Sequence, residues 1–74
     1  MCYLRYQDEP LDEAKFFQSK GAAVDAFERT ARELDRYGQK IEASLHLGNK
    51  DDLSEYPDFV LSLGPRGGLR VERA

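Results

Sequence analysis

The sequence predicts an α+β domain in which a single amphipathic helix packs on one face of a mostly antiparallel sheet of four to five strands, in β-β-α-β-β-β order. Three observations predict it. Apolar residues recur at three- and four-residue intervals only after Ser19, up to about Tyr37. Elsewhere they alternate with polar residues, most plainly from Gln39 to Gly48. Clusters of acids, glycine and proline separate these segments. Strands that alternate in this way belong to sheets covered on one side, so the helix stripe is expected to cover the apolar face and leave the other in water. With 74 residues there is room for one core, and residues 1–74 are read as a single domain.

Met1 to Gln7 places Cys2, Leu4 and Tyr6 on one side of an extended segment and Tyr3, Arg5 and Gln7 on the other, which predicts a half-buried strand. Asp8 to Glu13 carries four acids and Pro10, a composition that suits a turn and opposes continuing the strand. Lys15 to Gln18 reads as a second, short strand. Successive strand side chains face opposite ways, so only one of Phe16 and Phe17 can point to the core. Ser19 is placed to cap a helix that begins at Lys20, with its hydroxyl accepting from a free backbone N–H of the first turn. Ala23, Val24, Phe27, Ala31 and Leu34 form the apolar stripe of about five turns, and Gly38 is placed to end it in the left-handed conformation. Asp25 with Arg29 and Glu28 with Arg32 sit four apart and support the helix, whereas Arg32 with Arg36 opposes it slightly.

After the helix, Ile41, Ala43, Leu45 and Leu47 alternate with Lys40, Glu42, Ser44 and His46. Residues 49–57 form a polar connection, and Asp58 to Leu63 resumes the alternation with Phe59, Leu61 and Leu63 inward. Gly64-Pro-Arg-Gly-Gly68 is a turn, because Pro65 presets one backbone angle and the glycines supply positive ones. Leu69 to Arg73 is the last strand, with Leu69 and Val71 inward. The open face is then expected to carry Tyr3, Arg5, Lys40, Glu42, Ser44, His46, Val60, Ser62, Arg70 and Glu72.

Fourteen acids against eleven bases give a formal net charge of −3, which disfavours nonspecific binding to phosphate backbones and acidic membranes. Cys2 is the only cysteine, so no disulfide forms within the chain and a reducing compartment, the cytoplasm, is expected. No stretch has the length or apolarity of a membrane span or a leader, and the chain is read as whole.

A nucleophile needs a base within hydrogen-bond reach, and Cys2 with His46 is the pairing available. Parity opposes it: Cys2 should face the core and His46 the water. With one cysteine and one histidine the chain lacks the ligands of a structural zinc site. Asp51, Asp52 and Glu55 offer oxygen ligands, but not at the alternate spacing, with a central glycine, of a calcium loop. The adjacent acids Asp8-Glu9 and Asp12-Glu13 are not the held, separated pair that acid–base catalysis requires. Gly64 to Gly68 lacks the lysine and following helix of a phosphate loop. No catalytic residue, cofactor or metal is therefore expected. Arg66, Arg70 and Arg73 form the one local excess of positive charge, with Tyr3 as the lone aromatic on the open face.

These residues lead to a small non-enzymatic protein-binding or accessory module that acts by occupying a partner's surface. The expected contact residues are Tyr3, Arg5, Lys40, Glu42, His46, Asp51, Asp52, Glu55, Arg66 and Arg70. One alternative is a nucleic-acid-binding domain using the basic C-terminal hairpin, which the net charge disfavours. Another is a self-assembling subunit, because a thin core gains from further burial. In size and acidity the chain is similar to small accessory proteins of phages and plasmids, among them anti-CRISPR and anti-restriction inhibitors. That resemblance carries no residue across, and implies an inhibitor only in outline.

Overall fold

The computed structural model describes residues 1–7, 9–48 and 56–74. Along the chain run β1 (Cys2–Tyr6), a single 3₁₀ turn (Leu11–Glu13), β2 (Lys15–Phe17), α1 (Lys20–Asp35), β3 (Glu42–Leu47), β4 (Phe59–Leu63) and β5 (Leu69–Arg73). The strands form one antiparallel sheet in the order β2-β1-β3-β4-β5. This is the expected α+β arrangement, with α1 on one face. No helix among the described residues is long and apolar enough to cross a membrane.

Parity places the core. Cys2 and Leu4 on β1, Ala43 and Leu45 on β3 and Leu61 on β4 face Ala23, Phe27 and Ala31 of α1, and all eight are buried. Phe27, Leu4, Leu45 and Leu61 are fully enclosed, each contributing about 1.5–3 kcal/mol by leaving water. The two alanines beside Phe27 keep the helix surface low, so the ring reaches the sheet and stacks on Tyr6 at 6.2 Å between centroids. Val24 packs against the core from the margin of the stripe.

Both helix ends form as local chemistry dictates. Ser19 is extended, and its hydroxyl accepts from the Ala22 amide at 3.1 Å. At the other end Gly38 takes φ 77°, its amide donates to the Asp35 carbonyl, and the Gln39 amide reaches back to the Leu34 carbonyl, each at 3.0 Å. This paired closure needs a residue with positive φ, which glycine supplies without strain. Arg29 pairs with Asp25 at 2.9 Å and Arg32 with Glu28 at 2.7 Å, while Arg36 turns to Glu33 at 3.5 Å and away from Arg32.

Four residues sit otherwise than expected. Lys40 lies ahead of β3, and its ammonium binds the Asp35 carboxylate at 2.6 Å, so it is tied to the last residue of the helix and does not stand on the open face. Leu47 and Val71 have the inward parity yet remain 46% and 38% exposed. The helix packs over β1, β2, β3 and β4, so β5 projects past its cover and Leu47 ends β3 at the margin of the core. His46 stands on the open face as parity requires but is 2% exposed, where exposure to water was expected. Its strand is the middle one of five, and a central side chain has neighbours on both flanks even without a helix above it.

Candidate functional site

The helix-free face is organised in rows across the strands. Tyr3 lies opposite Phe16 of β2 on one side and opposite His46 of β3 on the other. The next row runs Arg5, Ser44, Val60, Glu72, and the one after it Glu42, Ser62, Arg70. Tyr3 is therefore not a lone aromatic. Phe17 turns to the core, Phe16 turns outward, and the Tyr3 and Phe16 rings meet at 5.5 Å and 58°. That separation and tilt are favourable for an aromatic pair. Phe16 is 47% exposed, an apolar ring held in water on the face that carries Arg5. Beside this row Arg5, Gln7, Glu42, Ser44 and Val60 border a shallow depression of about 240 Å³.

Among the described residues His46 is the one buried polar residue, and neither ring nitrogen has a hydrogen-bond partner. Asp58 is adjacent, but its carboxylate accepts from the Leu47 backbone amide at 2.7 Å and makes no hydrogen bond to the imidazole. Burial and the Arg5 guanidinium push the imidazole below its ordinary value, and Asp58 offsets this in part. The ring is thus held neutral.

Cys2 lies on the other side of the sheet. Its thiol contacts the Ser19 carbonyl at 3.2 Å and the Phe17 carbonyl at 3.6 Å. Burial raises its pKa, with the N-terminal ammonium acting weakly in the opposite direction. A buried thiol with a raised pKa, separated from the histidine by the sheet itself, is a packing residue. Disulfide exchange at native Cys2 should run more than about 100-fold slower than in urea, because opening of an interior strand must come first. Thiol titration with an aromatic disulfide checks this, and equal rates in both conditions would place the thiol at the surface.

Of the expected contact residues, the face brings together Tyr3, Arg5, Glu42, His46 and Arg70. Arg66 is exposed at the tip of the β4–β5 hairpin, where it borders a depression with Arg70 and lies outside the strand rows. Asp51, Asp52 and Glu55 lie outside the described residues. Among the described residues no three of His, Cys, Asp and Glu converge to hold a metal ion. No protein-family model, curated protein or solved structure matches this chain. The site rests on its own geometry. Phe16 is the candidate residue that sequence reasoning missed. Its signal was the Phe-Phe pair, one member of which had to turn outward, but its position beside Tyr3 depends on a strand pairing that local pattern does not encode.

Proposed function

We propose that this protein is a non-enzymatic protein-binding module that occupies a partner's surface with the helix-free face of its sheet. The observation that carries this reading is the Tyr3–Phe16 pair, with Phe16 held exposed next to the row of Arg5. Aromatic rings and arginine are enriched where protein interfaces concentrate their binding energy, and a preset ring pair loses little freedom on contact. Charges of both signs, Arg5 and Arg70 with Glu42 and Glu72, suit a mixed polar rim better than a phosphate backbone. A non-enzymatic role is supported by Cys2 and His46 lying on opposite faces of the sheet, which separates the nucleophile from the base. Blocking a partner's working surface is the inhibitory form of this reading. A reducing location such as the cytoplasm fits a buried, unpaired thiol.

Affinity capture from cells that express the chain tests it, using wild type, Phe16→Asp, Arg5→Glu and a helix-surface control, Glu33→Gln. The expected result is a specific protein retained by wild type and control and weakened at least about tenfold by each face variant. Equal retention by all four removes the open face as the contact. One observation favours a second reading: the Tyr3–Phe16 rings beside Arg5 are also a platform on which unpaired bases stack. Fluorescence anisotropy with single-stranded DNA and RNA at about 50 mM salt separates the two, because only the nucleic-acid reading gives a salt-sensitive complex there.

A further inference from the structure

The sheet ends on β5, and the outer edge of that strand carries a self-complementary pattern. The Gly64 amide donates to the Gly68 carbonyl at 2.7 Å and the Ala74 amide to the Asp58 carbonyl at 3.2 Å. In an antiparallel ladder this orientation alternates, so residues 68, 70, 72 and 74 turn their backbone groups toward β4. Leu69, Val71 and Arg73 turn theirs outward, and among the described residues no strand lies beyond them. Arg70 and Glu72 share the open face, while Val71, 38% exposed, lies on the helix side at the margin of the helix's cover.

We infer that β5 pairs antiparallel with β5 of a second copy of this chain, about a two-fold axis at Val71. In that register Val71 faces the partner's Val71, and Leu69 faces the partner's Arg73. These are the positions whose amides and carbonyls point outward, so the free edge becomes hydrogen-bonded along its length. Arg70 then stands opposite the partner's Glu72, and Glu72 opposite the partner's Arg70, in the closely spaced pairs of the ladder where opposite charges attract. A two-fold at Arg70 or at Glu72 would set each of these residues against itself, like charge against like. The alternation Arg70-Val71-Glu72 therefore selects one register out of the neighbouring three. Charged residues on an edge strand ordinarily repel a second chain, but here their order makes the matched copy the favourable one. The product is a continuous ten-stranded sheet with both helices on one side, since the axis runs through the sheet and keeps each face on its own side. It leaves the Tyr3–Phe16 pair of each copy free, so it stands apart from the open-face reading.

Sedimentation velocity over a concentration series, with the full chain, tests the pairing. The expected result is a monomer–dimer equilibrium in the wild type. Arg70→Glu and Glu72→Arg, each of which turns two symmetry-related attractions into repulsions, should weaken it about tenfold or more. The double exchange Arg70→Glu/Glu72→Arg should restore it to within about threefold of wild type. Phe16→Asp leaves the association unchanged, which separates failure of this pairing from failure of the open-face contact. Hydrogen exchange on the wild-type protein needs no variant: the Leu69, Val71 and Arg73 amides should slow as concentration rises, while Arg70 and Glu72 do not change. A monomer up to about 1 mM, a dimer indifferent to the single exchanges, or exchange at Leu69, Val71 and Arg73 that ignores concentration overturns the inference.

Discussion

Phe27→Ala should destabilise the domain by about 3–5 kcal/mol, the range for deleting an enclosed aromatic ring. Phe27 is fully buried, and it is the only large fully enclosed side chain that the helix contributes, since Ala23 and Ala31 beside it are small. The hole would open against Tyr6, whose ring stacks on it, and β1, β3 and β4 are tied into their own ladder and cannot collapse inward to fill the space. A chain of 74 residues has a total stability of about 4–11 kcal/mol at the usual value per residue. The substitution therefore removes a large fraction of it, and the variant should be partly unfolded near body temperature. Urea unfolding followed by far-ultraviolet circular dichroism gives the number. A loss below about 1 kcal/mol would mean that the helix is not the main cover of the sheet.

His46 is expected to make stability fall as the pH drops, the opposite of a histidine that gains an acidic partner on folding. The folded imidazole is held below its ordinary value of 6.5, so between 6.5 and its folded value the unfolded chain binds a proton that the native chain refuses. Stability is complete above pH 6.5 and declines as the pH falls toward the folded value, where the imidazolium would have to form beside Arg5 with Asp58 as partial compensation. Tyr3 flanks the ring across β1 and Val60 lies in the adjoining row of β4, and neither supplies a charge. His46→Phe keeps a ring of similar size and removes two buried nitrogens that have no partner. It should raise stability at neutral pH by about 1 kcal/mol, since an unsatisfied buried polar group costs about 1–3 kcal/mol. It should also abolish the decline that His46 imposes over the interval below pH 6.5. Urea midpoints for both proteins across that interval check the claim, and parallel curves would show that the imidazole is hydrated in solution.

A side chain with so clear a cost invites a use. The neutral imidazole occupies the centre of the face proposed for partner contact, in the same row as the aromatic pair. If His46→Phe stabilises the protein and weakens capture, the nitrogens serve the interface and not the fold. If capture is unchanged, His46 is only a tolerated buried polar group.

The helix and the strand faces were legible in the sequence because they are set by periodicity. Ser19 and Gly38 announced both ends of α1, since one satisfies a free amide and the other adopts a conformation closed to most residues. The order Arg70-Val71-Glu72 was equally plain, but its meaning at an edge was not. Of the candidate face, Tyr3, Arg5, Glu42 and Arg70 followed from alternation alone, whereas Lys40 did not, because a strand that starts two residues later frees its side chain for Asp35.

By itself, then, the chain's local pattern determined the class of fold, the single helix and its caps, the parity of every described strand except β2 and the side of the sheet on which Cys2 and His46 lie. Tertiary structure alone decided that β2 and β3 flank β1, which brings Phe16 against Tyr3, that His46 is shut away on a face expected to be wet, and that β5 ends the sheet at the margin of the helix's cover, with no strand beyond it among the described residues. The physical reason is that side-chain direction repeats every two or every 3.6 residues and is read within a short segment. Neighbours and exposure are set by which distant segments pair, a choice made by the burial of the whole chain at once.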